Sequence, residues 1–176
     1  MDDSIAEYLH TREVRIIPVH TDTIGAPEIR VTAPDSWFEI GQEVLPGAYA
    51  AWAVPPVDGQ EWADNLLVMV GRLTERVDAA ELIDRAFVDS RRLPGWTEQS
   101  AGFTDCDGYR SAVISGLYTG GELRVRTRTQ YLVIDLLDHD YLVQYTATVA
   151  ADSIDRDLVD SPPPLHVAWP LRGGGF

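Results

Sequence analysis

The chain contains no lysine; all 14 of its Lys/Arg-type cations are arginine. A P-loop needs a lysine to reach the β- and γ-phosphates, Schiff-base catalysis needs an amine, and a Ser-x-x-Lys nucleophile needs its lysine as base. None of these chemistries is open to it. A GC-rich genome is the ordinary cause of such a replacement. Cysteine is nearly absent too: with Cys106 alone, neither an internal disulfide nor a thiolate zinc cluster can form. Long apolar runs are missing, since no stretch approaches the ~20 residues of a membrane-spanning helix. The start, Met1-Asp2-Asp3, is acidic, with no apolar core of signal-peptide length and no lipobox cysteine near it. The expectation is a soluble, cytoplasmic protein without a membrane span.

Positive charge is scarce: 28 acidic residues leave a formal net charge of −14. A field of that sign opposes binding to nucleic-acid phosphates and anionic lipids, so no nucleic acid is expected as a partner. The length of 176 residues suits one domain with a core large enough to need neither metal nor disulfide. Nothing in the chain sets an oligomeric state.

What is present is organised around residues 77–149. Asp78 and Glu81 have the spacing of a helix N-cap and its third residue, and Val77 and Leu82 occupy the staple positions. Leu82, Ile83, Ala86 and Phe87 then form a stripe at helical spacing, Arg91 and Arg92 suit the C-terminal dipole, and Leu93-Pro94-Gly95-Trp96 ends the helix. Three strands follow, over 109–118, 123–134 and 141–149. Gly120-Gly121 marks a hairpin that would set Tyr118 opposite Leu123 and Ser115 opposite Arg126. One face would then carry Ala112, Ile114, Gly116, Tyr118, Leu123, Val125 and Tyr131 toward the core. The other would present Ser111, Ser115, Arg124, Arg126, Arg128 and Gln130 to solvent.

Before this block, Ser4-Ile5-Ala6-Glu7 has capping-box spacing for a short helix that needs Ile5, Tyr8 and Leu9 to dock on the body. Extended segments are expected over 14–19, 29–32 and 48–54, and 66–73 reads as a central strand covered on both faces. The segment 57–64 reads as a polar loop. After the block, 153–159 suggests an acidic helix supported by Ile154 and Leu158. The domain is expected to span 1–160, with a Pro/Gly-rich tail over 161–176.

Catalytic signals are weak. His139 lies between Asp138 and Asp140 at a turn, and His10, His20 and His166 are scattered, without the i,i+4 or His-x-His spacing of metal ligands. No Gly-x-Ser-x-Gly elbow occurs, and the glycines at 116, 120 and 121 lack dinucleotide-binding spacing. Asp105-Cys106-Asp107-Gly108 reads as a tight turn whose carboxylates raise the thiol pKa, which argues against a nucleophile. No catalytic residue, cofactor or metal is expected. Of the five tryptophans, Trp37, Trp52 and Trp96 suit a core, while Trp62 and Trp169 are interface candidates. Arg124, Arg126 and Arg128 are the best surface candidate: three like charges about 7 Å apart along one strand face call for nearby acids or a ligand. Asp/Glu of adjacent strands or the acidic 153–159 helix could supply those acids; docking of an acidic peptide or partner protein is the other reading.

Several motifs together resemble the LpqN/LpqT family of actinobacterial proteins. They are Pro34-Asp35-Ser36-Trp37, Ala48-Tyr49-Ala50, Asn65 leading into Gly71-Arg72-Leu73-Thr74, Val77-Asp78 and Leu93-Pro94-Gly95-Trp96. Gly108-Tyr109, Ile114-Ser115-Gly116-Leu117-Tyr118 and Tyr141-Leu142-Val143-Gln144-Tyr145-Thr146 complete the set, over about residues 4–150. Ser4-Ile5-Ala6-Glu7-Tyr8 and Gly25-Ala26-Pro27 are similar to members without a lipoprotein leader. The resemblance implies an α+β fold, an antiparallel β-sheet with flanking helices arranged as a PsbP-like α/β sandwich. It also implies a non-enzymatic role as a protein-binding adaptor or chaperone-like module tied to secretion or envelope physiology, with a protein partner of unstated identity. The alternative is a small-molecule or lipid-binding protein with an aromatic-lined pocket.

Overall fold

Alternation along the three longest strands places apolar side chains on both faces of one sheet, and each face is covered by a different part of the chain. A computed structural model describes residues 3–55, 62–136 and 138–169; most of the expected loop over 57–64 and the end over 170–176 lie outside them. The elements run α1 (Ile5–Thr11), β1 (Ile16–Pro18), β2 (Glu28–Val31), β3 (Phe38–Glu39), β4 (Ala50–Ala53), β5 (Asn65–Leu73), α2 (Ala79–Ile83), α3 (Val88–Arg91), β6 (Thr97–Cys106), β7 (Tyr109–Gly120), β8 (Leu123–Asp135), β9 (Asp140–Ala150), α4 (Asp157–Asp160) and β10 (Leu165–Ala168). The main sheet is antiparallel in the order β3-β4-β5-β9-β8-β7-β6, with β1 pairing the C-terminal end of β5. A second, two-stranded ribbon joins β10 to β2. The fold is α+β, as expected.

The helical side of the sheet carries Ala112, Ile114, Tyr131, Val133 and Leu142, packed beneath Ile5, Tyr8, Leu9, Leu82, Ile83 and Phe87. The ribbon side carries Leu66, Val68, Leu132, Ile134, Val143 and Tyr145, packed against Ile29, Trp37, Val159 and Leu165. Both faces are therefore core. This corrects the expectation that the Arg124–Arg126–Arg128 side is simply a solvent face: farther along β8 the same side holds Leu132 and Ile134, fully buried. β10, expected within a loose tail, is a paired strand whose Leu165 is buried. Ile154, expected to anchor the acidic helix, is exposed, and Val159 is the buried anchor of α4. β5 has its ribbon side buried and Leu67 and Met69 half-buried on the other, because the helices cover only one end of that face.

Both short helices on the helical side depend on docking, as their length requires. The Ser4 capping box forms in both directions: Ser4 N donates to Glu7 Oε2 at 2.7 Å and Glu7 N to Ser4 Oγ at 3.3 Å. At α2, Asp78 accepts from Glu81 N at 2.9 Å. The Glu81 carboxylate instead accepts from Tyr8 Oη at 2.9 Å and Arg12 at 3.2 Å, tying α1 to α2. The Tyr8 ring is stacked between two guanidiniums, Arg12 at 3.8 Å and Arg85 at 4.1 Å from its centroid. The single helix expected from Asp78 onward is two pieces, with a turn over residues 84–87 that buries Phe87.

The β7–β8 turn is Gly121-Glu122 rather than Gly120-Gly121: Gly120 pairs with Leu123, so Ser115 faces Arg128. The offset is two residues, and an even offset preserves which side chains share a face. Gly121 has φ 63°, the positive value required of the first central residue in this turn type. β6 pairs with β7 through Asp107-Gly108, both at positive φ, the pattern of a type I′ turn. Trp96 lies over Gly116, where a Cβ would sit 2.6 Å from both its ring and the Thr97 carbonyl oxygen.

Two stability outcomes follow from this packing. Ile114→Ala, at a fully buried position, is expected to cost about 2–5 kcal/mol in urea unfolding, through lost transfer energy and an unfilled cavity. Gly116→Ala is expected to cost roughly 1–3 kcal/mol despite adding apolar surface, because one contact is with backbone and cannot rotate away. An unchanged midpoint for Gly116→Ala would show that Trp96 does not hold this position in solution.

Candidate functional site

β8 is the strand that builds the candidate site. Its alternation sends Arg124, Arg126, Arg128 and Gln130 to the ribbon side, beside Ser115 and Leu117 of β7 and Ala147 and Val149 of β9. Here the ribbon covers the sheet incompletely, so the arginines lie along its margin. Arg124 is exposed, Arg126 has 20% of its side chain accessible, and Arg128 is half-buried.

The acidic helix comes close to this row. Arg126 Nη1 lies 3.5 Å from Asp160 Oδ1 on α4 and 3.3 Å from Gln99 Oε1, while its buried Nε has no acceptor among the described residues. Arg128 makes no hydrogen bond to any described residue. Burial holds its pKa below the usual guanidinium value, with Tyr145 and Asp160 opposing that shift. One carboxylate thus serves two neighbouring guanidiniums, from the distance of a long contact. The surrounding hydroxyls are engaged by neighbouring side chains: Ser100 Oγ and Ser115 Oγ are 2.8 Å apart, and Gln130 Nε2 donates to Ser111 Oγ at 2.9 Å. Among the described residues, no histidine or carboxylate is hydrogen-bonded to these serines. Chemically, the arrangement can hold an oxyanion.

Of the two tryptophans, the structure brings Trp62 to the Arg124 end of the sheet. Its Nε1 donates to Asp64 Oδ1 at 3.3 Å, the same oxygen accepts from Ala150 N at 2.7 Å, and Ala151 N donates to Arg124 O at 2.9 Å. Trp169 is exposed and follows β10, whose Val167 N donates to Asp107 Oδ2 at the opposite end of the β7–β8 hairpin. It does not join the arginines. The sequence reading missed Asp160 as the specific acid and Asp64 as the organiser of this end. It also missed a hydroxyl ladder on the helical side, Thr127 with Thr148 and Thr129 with Thr146, each pair at 3.3 Å. Alternation of Thr with Arg in β8 and with Ala and Val in β9 is the signal that could have found the ladder.

Away from this row, Thr21, Asp22, Glu39, Gln42 and Tyr49 line a depression of about 260 Å³ beside β3 and β4. Its lining is mixed, with Ile40, Ala48 and Ala50 beside these polar groups and Tyr49 as its one aromatic ring, unlike the aromatic-lined pocket of the small-molecule reading. Among the described residues, no group of three or more His, Cys, Asp or Glu is placed to hold a metal ion. None of the described helices is long and apolar enough to cross a membrane. His139 is exposed at its turn, with Arg72 3.5 Å away.

Comparison with known proteins places this geometry in context. The family described as "Probable lipoprotein LpqN" matches residues 1–161. The "Proline-rich 28 kDa antigen" of Mycobacterium bovis and of Mycobacterium tuberculosis is 23% identical over 159 residues, 90% of this chain and 50% of the relative. The chain thus spans about half the length of the curated relatives it matches. The crystal structure of LpqN involved in cell envelope biogenesis of Mycobacterium tuberculosis superposes with a TM-score of 0.82 at 18% identity, covering 96% of this chain and 99% of that one. A solution structure of PsbP from Synechocystis sp. PCC 6803 aligns at 16% identity and a TM-score of 0.42, over 85% of this chain and 97% of that one.

Cys106 supplies a pH-dependent check on the site's chemistry. Burial first, then Asp107 and Asp105, pushes its thiol up to about 11, and its Sγ donates to Leu165 O at 3.4 Å. A raised pKa favours the neutral thiol in the folded state. The resulting stabilisation is present below the unfolded value near 9.0 and is lost as pH rises through about 11. Iodoacetamide at pH 8 is expected to modify the native protein roughly 100-fold more slowly than the urea-unfolded chain, because the thiolate is the reactive form. Equal rates would mean that the thiol is accessible and ionisable in the fold.

Proposed function

We propose that this chain, which belongs to the family described as probable lipoprotein LpqN, is a non-catalytic protein-binding module of adaptor or chaperone-like type. Its docking surface is the Arg124–Arg126–Arg128 row, with Trp62 at one end and Trp169 as a separate contact. Among the described residues, the observation that carries the reading is the half-buried Arg128, beside the orphaned Nε of Arg126, with Asp160 the nearest acid. Desolvated guanidiniums bind a carboxylate more strongly than exposed ones do, and their planar donor geometry suits bidentate recognition. An acidic segment of a partner protein would complete the row. Local positive charge also concentrates such a partner's approach against the repulsive field of the whole molecule.

The non-catalytic part of the reading is supported by hydroxyls engaged by neighbouring side chains and by a thiol held protonated. A link to envelope physiology is supported by the structural likeness to LpqN of Mycobacterium tuberculosis, a protein involved in cell envelope biogenesis.

The test is the triple variant Arg124→Ser, Arg126→Ser, Arg128→Ser. The Arg126–Asp160 pair is partly exposed, so losing it is expected to cost about 0–1 kcal/mol and move the melting midpoint by a few degrees at most. A partner captured by the wild-type chain from its native host should bind the variant at least about 100-fold more weakly. That estimate rests on roughly 1.5–3 kcal/mol for each hydrogen bond to a charged group at the two half-buried positions. Unchanged affinity would reduce the row to scaffold.

A further inference from the structure

The two ends of the main sheet are finished differently. At one end β3 has two residues, and β4 and β1 share the outer side of β5. At the other end β6 runs for ten residues, exposed from Thr97 to Asp105, and among the described residues it takes main-chain hydrogen bonds from β7 alone. An antiparallel strand directs the main-chain groups of alternate residues outward, so this edge presents a row of unused donors and acceptors. Edges are ordinarily protected by brevity, proline, an inward charge or a bulge. β6 has one bulge, between Glu98 and Ser100, near its N-terminal end. From Ser100 to Thr104 it has no charge and no proline.

We propose that β6 is a self-association surface, on which the β6 strand of a second copy pairs antiparallel about a two-fold axis at Gly102. The strand is self-complementary in that register. Ser100 meets the Thr104 of the other copy, a hydroxyl pair of the kind that stabilises cross-strand neighbours. Ala101 meets Phe103, so a small side chain lies beside a ring that is half-exposed in the single chain. Gln99 meets Asp105 and Glu98 meets Cys106, so the strand's two carboxylates never oppose each other. Glu98 is in addition held by Arg91 at 2.7 Å. At the axis, a Cβ added to Gly102 would meet nothing within 4 Å. Phe103 already lies 5.3 Å from Phe87 and carries Arg110 over its ring at 4.7 Å, so its ring is anchored on the helical side of the sheet. An isologous contact of this kind closes as a dimer and continues the sheet across both copies.

Two chains of net charge −14 repel each other, so the association is expected to tighten with salt, the reverse of an ion-pair interface. Analytical ultracentrifugation of the full chain should show a concentration-dependent dimer whose dissociation constant falls severalfold between about 0.02 and 0.5 M NaCl. Ala101→Lys should abolish it while leaving the circular dichroism unchanged. Register is read by oxidation. Directly opposed residues have Cα atoms about 4.5–5.5 Å apart, within disulfide range. Gly102→Cys should therefore cross-link to itself, and Thr104→Cys, whose opposite number is Ser100, should not. The proposal is overturned by a wild-type chain that stays monomeric at both salt concentrations. A dimer that survives Ala101→Lys, or Thr104→Cys cross-linking as readily as Gly102→Cys, overturns it equally.

Discussion

The register of β8 against β9 is the constraint on which the rest of the structure depends. With Leu132 opposite Val143 and Val133 opposite Leu142, one strand pair supplies apolar side chains to two different cores. A one-residue slip would exchange those faces and turn Arg126 and Arg128 toward the helical side. Because both faces are apolar along half their length, hydrophobicity alone would penalise that slip weakly. The penalty comes from polar features. The Thr127–Thr148 and Thr129–Thr146 pairs form only in the observed register, and the row of guanidiniums is tolerable only on the open margin of the ribbon side.

Two buried carboxylates hold β9 at its ends. Asp140 accepts from Val77 N at 2.9 Å and lies 3.4 Å from Arg76, tying the start of β9 to the entry of α2. Asp64 accepts from Ala150 N and from the Ser153 hydroxyl, tying the end of β9 to the segment that leads into α4. A carboxylate removed from water is costly unless its lone pairs are satisfied. Each accepts one main-chain N–H from a neighbouring segment, Val77 for Asp140 and Ala150 for Asp64, so its placement also positions those segments. α4 carries Asp160, which makes the setting of the arginine row a consequence of how β9 is anchored.

Local chemistry was the legible part of the sequence. Ser4 and Glu7, Asp78 and Glu81, and Asp107-Gly108 each act within four residues, and their caps and turns can be read from spacing. The long strands β7, β8 and β9 were legible from alternation. What alternation could not supply was which face is covered, because Arg128 and Leu132 share a side of β8 and the covering ribbon is built from residues more than a hundred positions apart, β2 and β10. β6 was not foreseen as a strand at all. Thr97 to Asp105 has no burial period because it has no buried face, and a strand whose pattern is set by nothing but main-chain pairing leaves no hydrophobic trace. The arginine row was visible as residues, whereas its balance by Asp160 rests on an ion pair 34 positions apart.

The missed strand and the foreseen arginines border the same margin of the sheet. Gln99, in the β6 bulge, accepts from Arg126, so the free edge and the guanidinium row share a hydrogen bond. A strand added to β6 would lie beyond Gln99 without displacing Asp160, because the edge extends in the plane of the sheet while α4 sits above it. The two surfaces are therefore geometrically compatible: one copy can pair along its edge and keep its arginines available on the ribbon side. Coupling between them would pass through the Gln99 side chain, since a bulge regularised by a new neighbour would re-aim Gln99 and leave Arg126 with Asp160 alone. Self-association would then bear directly on how firmly the internal carboxylate competes with an external one.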